Sequence, residues 1–84
     1  MAHQVRLATS AERDLKRLER RQALHIAGKL ASLSETPRPK QAKKLVARDL
    51  YRLRIGNYRA IYRVDDEHRQ VIVLWIRHRC EAYR

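Results

Sequence analysis

The chain holds a single cysteine, Cys80, among its 84 residues. No internal disulfide can form, so stability must come from packing, and a reducing cytoplasm is the expected compartment. No apolar run approaches the roughly 20 residues that span a bilayer; the longest, Val71 to Ile76, has the length of a strand. The opening Met-Ala-His-Gln-Val-Arg lacks an apolar h-region and does not read as a signal peptide. His3, His25 and His68 show no ligand spacing, so no metal is expected. There is no repeat, low-complexity segment or linker. Residues 1–84 are therefore expected to form one domain, near the lower end of what folds unaided.

Acidic residues are also scarce. Nine Asp and Glu stand against 20 Lys and Arg, for a formal net charge of +11. The excess is uneven. From Arg38 onward there are 13 basic against 5 acidic residues, a balance of +8, while the first 37 residues balance at +3 (7 against 4). Charge of this size speaks to partners rather than to fold. Phosphates recruit Lys and Arg through charge neutralisation and counterion release, which makes nucleic acid the leading partner class. No basic helix faces away from large apolar and aromatic groups, so a membrane surface is not the expected partner.

What is present centres on Tyr51-Arg-Leu-Arg-Ile-Gly-Asn-Tyr-Arg-Ala-Ile-Tyr62. Apolar and basic residues alternate, break at Gly56-Asn57, and alternate again. That is a β-hairpin with a two-residue turn, Gly at the first position suiting type II′. Pairing Ile55 with Tyr58 puts Leu53 opposite Ala60 and Tyr51 opposite Tyr62 on one face. The other face then carries Arg54 opposite Arg59, with Arg52 beside Ile61. Like charges across a strand pair are destabilising, so a guanidinium cluster on a sheet face implies a polyanion to neutralise it.

The flanking segments supply a scaffold. His3 to Ala8 alternates as a short first strand. Thr9-Ser-Ala-Glu12 reads as a capping box with Thr9 at the N-cap. Leu15 and Leu18 mark one helix, and Ala23, Ile26, Ala27, Leu30 and Leu33 a second, with a bend near Arg20 to Gln22. The two are expected to form an antiparallel pair, ended by Thr36-Pro-Arg-Pro39. Lys40 to Arg48 reads as a basic connector: either a solvated loop or a phosphate-facing one, with Lys40, Lys43, Lys44 and Arg48 as candidate phosphate contacts. Asp65-Asp-Glu-His68 is a polar turn. Val71 to Ile76 is apolar on both parities and reads as a central strand buried on both faces. The expected fold is α+β, in the order β-α-α-β-β-β. An antiparallel sheet carries the helical hairpin on its Leu53, Ala60, Tyr62, Val64 face and leaves Arg52, Arg54 and Arg59 on the other, with Trp75 and the C-terminal tail close by.

The order of these pieces resembles the RelE toxins of the RelE/ParE toxin–antitoxin superfamily. The resemblance rests on the β-α-α start, the Pro-containing break, Lys-Lys-Leu, Tyr-Arg-Leu-Arg, Tyr-Arg-x-Ile-Tyr, the apolar strand, and His-Arg…Glu-x-Tyr. It implies a metal-independent, ribosome-dependent endoribonuclease that cuts mRNA in the A site. It also implies a cognate antitoxin as inhibitor, with the free toxin a monomer and the complex a hetero-oligomer. The family's functional set falls on Arg52, Arg54, Arg59, Arg79 and Tyr83, and Arg77 and His78 would add RNA or ribosome contacts. Departures exist: Arg52 and Arg54 stand where Lys is usual, Arg77 where Gly often precedes His-Arg, and Val46-Ala47 where Gly often follows Lys-Lys-Leu. The alternatives are a ParE-like toxin acting on DNA gyrase, or a basic nucleic-acid- or antitoxin-binding module without catalysis.

In such a nuclease the substrate carries its own nucleophile. Attack of a 2′-OH on the adjacent phosphate gives a 2′,3′-cyclic phosphate and a free 5′-OH. The protein aligns the attack and neutralises the phosphorane, for which the planar guanidinium fork is suited. Arg59 and Arg79 are assigned to the scissile phosphate, with Arg54 on it or its neighbour. Arg52 cannot act as a base, since guanidinium does not deprotonate in proteins. Tyr83, His78 and ribosomal RNA remain as proton-transfer candidates, and Tyr83 could instead stack on a base. Tyr51, Tyr58 and Tyr62 read as packing residues, Cys80 as incidental, and Trp75 as either strand core or a stacking surface.

Overall fold

The computed structural model describes residues 2–46 and 49–78. The elements run β1 (Gln4–Leu7), α1 (Thr9–Lys16), α2 (Arg20–Ala31), β2 (Ala42–Lys44), β3 (Leu50–Ile55), β4 (Tyr58–Asp65) and β5 (Gln70–His78). One 3-10 turn, Ser32–Ser34, follows α2. The five strands form one open sheet in the order β1-β5-β4-β3-β2. The class is α+β, and the sheet is mixed: β2 to β5 are antiparallel neighbours, while β1 lies parallel to β5 at the edge. No described helix is long and apolar enough to cross a membrane.

The hairpin forms in the expected register. Tyr51 faces Tyr62, Leu53 faces Ala60, Arg54 faces Arg59 and Ile55 faces Tyr58. Gly56 adopts φ +59°, and Asn57 stays out of the left-handed region. That combination distinguishes type II′ from type I′, which needs positive φ at both positions.

The helices cover the expected face. Ala11, Ile26, Leu30 and Leu33 pack in one core with Leu53, Ala60, Tyr62, Val64, Val71, Val73 and Ile76. Each large apolar side chain buried there contributes about 1.5–3 kcal/mol. Tyr51 and Tyr62 stack with ring centroids 5.7 Å apart. The Tyr62 hydroxyl donates to the Pro37 carbonyl at 2.8 Å, tying the proline segment to the sheet. Arg38 donates to the Tyr51 hydroxyl at 2.7 Å and pairs with Asp66 at 2.7 Å; Asp66 also meets His3 Nε2 at 3.1 Å.

Four expectations are corrected. The Lys40–Arg48 connector is not all loop: Ala42–Lys44 forms the edge strand β2, pairing Lys43 with Arg52. Ala-Lys-Lys carries no apolar alternation, so only the neighbouring β3 backbone makes it a strand; lysines there also blunt an exposed edge. Thr9 is not the N-cap of α1. Ala8 holds that position without a side-chain cap, and the Ser10 hydroxyl donates instead to the Leu74 carbonyl on β5. The bend between helices falls at residues 17–19, just before Arg20 rather than at 20–22.

The fourth correction concerns β5. It lies inside the sheet between β1 and β4, as expected, but is not buried on both faces: Val71, Val73 and Ile76 are buried, while Ile72, Leu74 and Trp75 are only partly so. Tyr62 pairs with Val73 but Ile61 pairs with Trp75, so Leu74 is an extra residue, a β-bulge. A bulge shifts the two-residue period by one. Ile76 therefore returns to the helix-covered face opposite Ala60, and Trp75 turns to the open face opposite Ile61. The Ser10 hydroxyl and the Ala8 N–H take up the Leu74 and Val73 carbonyls at this irregularity.

Candidate nucleic-acid face

Strand register arranges the open face in rows. One row runs Arg54, Arg59, Arg77 across β3, β4 and β5; the next runs Lys43, Arg52, Ile61, Trp75 across β2 to β5. Alternation along each strand puts both rows on the side away from the helices. Arg54 is exposed and Arg52 half-buried. Arg59 is 7% exposed, the one buried charged side chain among the described residues. A groove of about 440 Å³ opens between Gln41, Lys43, Arg52, Arg54 and Gly56. Its cations come from two adjacent strands, Lys43 from β2 and Arg52 and Arg54 from β3.

The structure thus unites Arg52, Arg54, Arg59 and Lys43. It separates others. Lys44 pairs with Tyr51 and by alternation faces the opposite side of the sheet. Lys40 is exposed in the turn before β2. Arg77 lies on the open face, but its guanidinium pairs with Asp14 of α1 and lies over the Trp75 ring, 5.1 Å from the centroid. His78 falls on the helix side, its ring edge-on to Tyr58 at 5.2 Å. Tyr58 in turn donates to Gln22 on α2 at 3.1 Å. Arg48, Arg79, Cys80 and Tyr83 lie outside the described residues. Among the described residues no cluster of His, Cys, Asp and Glu is placed to hold a metal ion.

Two side chains at this face escape sequence reasoning. Asp14 is 12% exposed; its Oδ2 accepts from the Ile76 N–H at 2.9 Å and from Arg77. It thereby closes the edge of β5 beyond the reach of β1. Nothing in Glu-Arg-Asp-Leu-Lys announces a contact 62 residues away. Gln41 enters the groove because β2 is a strand, which its local sequence does not signal. At the far end, the carboxyl of Asp66 is held below its ordinary pKa by hydrogen bonds from Arg38 and His3, and that of Asp65 by hydrogen bonds from His68. Those acids are therefore kept ionised at the end of the sheet remote from the arginine rows.

Comparison with known proteins agrees with the fold. Residues 5–83 match the family described as ParE toxin of type II toxin–antitoxin system, parDE. The chain belongs to the RelE/ParE family of toxin–antitoxin toxins. Toxin RelG of Mycobacterium tuberculosis is 37% identical over 87 residues, covering 100% of this chain and 99% of that one. In solved structures, the fold superposes on the toxin–antitoxin complex RelBE2 of M. tuberculosis with TM-score 0.83 and 34% identity, over 94% of this chain and 100% of the other. E. coli RelE mutant bound to an antitoxin RelBc peptide matches with TM-score 0.80 and 26% identity, over 99% and 92%.

Proposed function

We propose that this toxin is a ribosome-dependent mRNA endoribonuclease of the RelE branch, acting in the cytoplasm by 2′-OH attack without a metal. The observation that carries the proposal is the sheet face away from the helices, on which Arg54 and Arg59 oppose each other beside the Lys43–Arg52 row. Guanidiniums held at fixed strand positions suit phosphate oxygens, which accept from the planar fork. Arg59, rigid and buried in the middle strand, takes the scissile phosphate together with Arg79. Arg54 takes the same phosphate or the next, and Arg52 and Lys43 follow the strand outward. Preorganised donors of this kind supply about 10²–10³ in rate each. With so few acid–base groups at the face, the ribosome orders the substrate and raises the effective molarity of the attack. His78 lies on the other side of the sheet, which leaves Tyr83 or ribosomal RNA for proton transfer.

A cognate antitoxin is the proposed inhibitor. Support comes from the relatives RelBE2 and RelE, both solved with antitoxins. Free, the toxin is expected as a monomer, and with antitoxin as a hetero-oligomer. A second possibility, a gyrase-directed toxin, is favoured by one observation: the matching family is described as ParE. Primer extension on mRNA under translation separates the two. Codon-positioned cuts that vanish in Arg54→Ala and Arg59→Ala are the expected result. Intact mRNA together with arrested DNA supercoiling would sink the nuclease proposal.

A further inference from the structure

Trp75 is the only tryptophan of the chain, and the fold turns it outward. Simple alternation from Val71 and Val73 would send residue 75 into the helix-covered core. The bulge at Leu74 reverses this, and Trp75 emerges opposite Ile61, one row from Arg54, Arg59 and Arg77. Bulges that re-aim a side chain gather next to functional sites. The bulge is also fastened, since the Ser10 hydroxyl holds the Leu74 carbonyl.

The indole is held in place and stays partly accessible. Arg77 lies against its ring, and Asp14, itself only 12% exposed, holds Arg77 from α1. The same carboxylate binds the Ile76 N–H between the two residues. Trp75 is only partly buried and lies outside the helix-covered core cluster. Half-buried Ile72 and Trp75, with buried Ile61 beneath them at 6% exposure, therefore interrupt a run of basic positions, Arg52 and Arg59 on one side and Arg63 and Arg6 on the other. Phosphate binding alone does not use an indole. A nucleic-acid strand offers phosphates and flat π faces alternately, and a duplex hides the latter in its stack.

We propose that Trp75 is a stacking site for an unpaired nucleobase of single-stranded RNA lying across the open face. The proposal rests on the RNA-binding role of that face and assigns it a base-recognising element. Arg77 is a positioning residue that holds the indole, itself anchored by Asp14.

The lone tryptophan is its own reporter. A short single-stranded RNA with 2′-O-methyl groups cannot undergo 2′-OH attack, and an abasic oligomer of equal length matches its charge. At low ionic strength, calorimetry measures binding of each while Trp75 emission is followed. The base-carrying strand is expected to quench emission and the abasic strand to leave it unchanged. Trp75→Leu is expected to weaken the base-carrying strand by about 5- to 150-fold without affecting the abasic one, and Trp75→Phe to retain most of the affinity. Equal affinity and equal emission for both strands would overturn the stacking site while leaving the RNA-binding face intact. Failure of both strands to bind would overturn the RNA-binding face and the stacking site together. Emission that answers to an acidic peptide but not to RNA would overturn it in favour of a protein contact.

Discussion

Tyr62 is the largest fully buried side chain of the core, and its hydroxyl does two things. It ties the proline segment through Pro37, and it resists ionisation: burial, with Tyr51 adding, pushes its pKa up to about 12 against the lowering effect of Arg38. Unfolded, a tyrosine titrates near 10. Between those values the native state keeps a proton that the unfolded chain loses, so stability falls as pH rises from about 10 to about 12 and is unaffected below that window. Tyr62→Phe is expected to lose about 1 kcal/mol near neutrality, through the orphaned Pro37 carbonyl. It should also flatten the alkaline decline; urea midpoints at neutral and alkaline pH check both. Asp66 works in the opposite sense. Its lowered pKa stabilises the fold above the ordinary carboxylate pKa of about 3.9, and that contribution is lost as pH falls through the native value. Asp66→Asn should remove that part of the acid transition in a pH titration followed by circular dichroism.

Among the elements, the hairpin turn and the β5 edge are where single changes have readable effects. Gly56 sits at φ +59° with open space around the position of an added Cβ. Gly56→Ala therefore meets no clash, and its expected loss of about 1–2 kcal/mol comes from left-handed backbone alone. Thermal unfolding measures it. At β5, Asp14→Ala leaves the Ile76 N–H without its acceptor and Arg77 without its counter-charge, for an expected loss of about 1–3 kcal/mol. Asp14→Asn keeps an acceptor for the N–H and should recover part of that loss in denaturant titration. A larger effect of Asp14→Asn than of Asp14→Ala would contradict this account of the edge.

For the molecule as a whole, charge sets the salt dependence expected of the proposed RNA binding. With Lys43, Arg52, Arg54 and Arg59 as phosphate contacts, binding of single-stranded RNA should fall with a slope near −3 in log affinity against log salt, about −0.7 per neutralised phosphate. Arg54→Ala should reduce the steepness by about one contact, and filter binding across a salt series measures it. A slope that is unchanged by that substitution would remove Arg54 from the phosphate track.

The hairpin was legible before any coordinates because its information is local. Alternation of period two fixes which residues share a face, and Gly56-Asn57 fixes the register, so Arg54 opposite Arg59 follows from spacing alone. The helix pair and its core face were legible for the same reason, through a 3.6-residue stripe that needs an apolar partner. Features that depend on distant chain segments were not. Ala42–Lys44 became a strand only because β3 offered a free edge. The N-cap of α1 moved from Thr9 to Ala8, and the Ser10 hydroxyl met a carbonyl on β5. The Leu74 bulge, which no pattern in Val71 to Ile76 marks, decided that Trp75 stands among the arginines and not in the core. Local periodicity is written in adjacent side chains and survives without context. Strand edges, bulges and long-range ion pairs are settled by which backbone groups meet, and that is a property of the packed sheet.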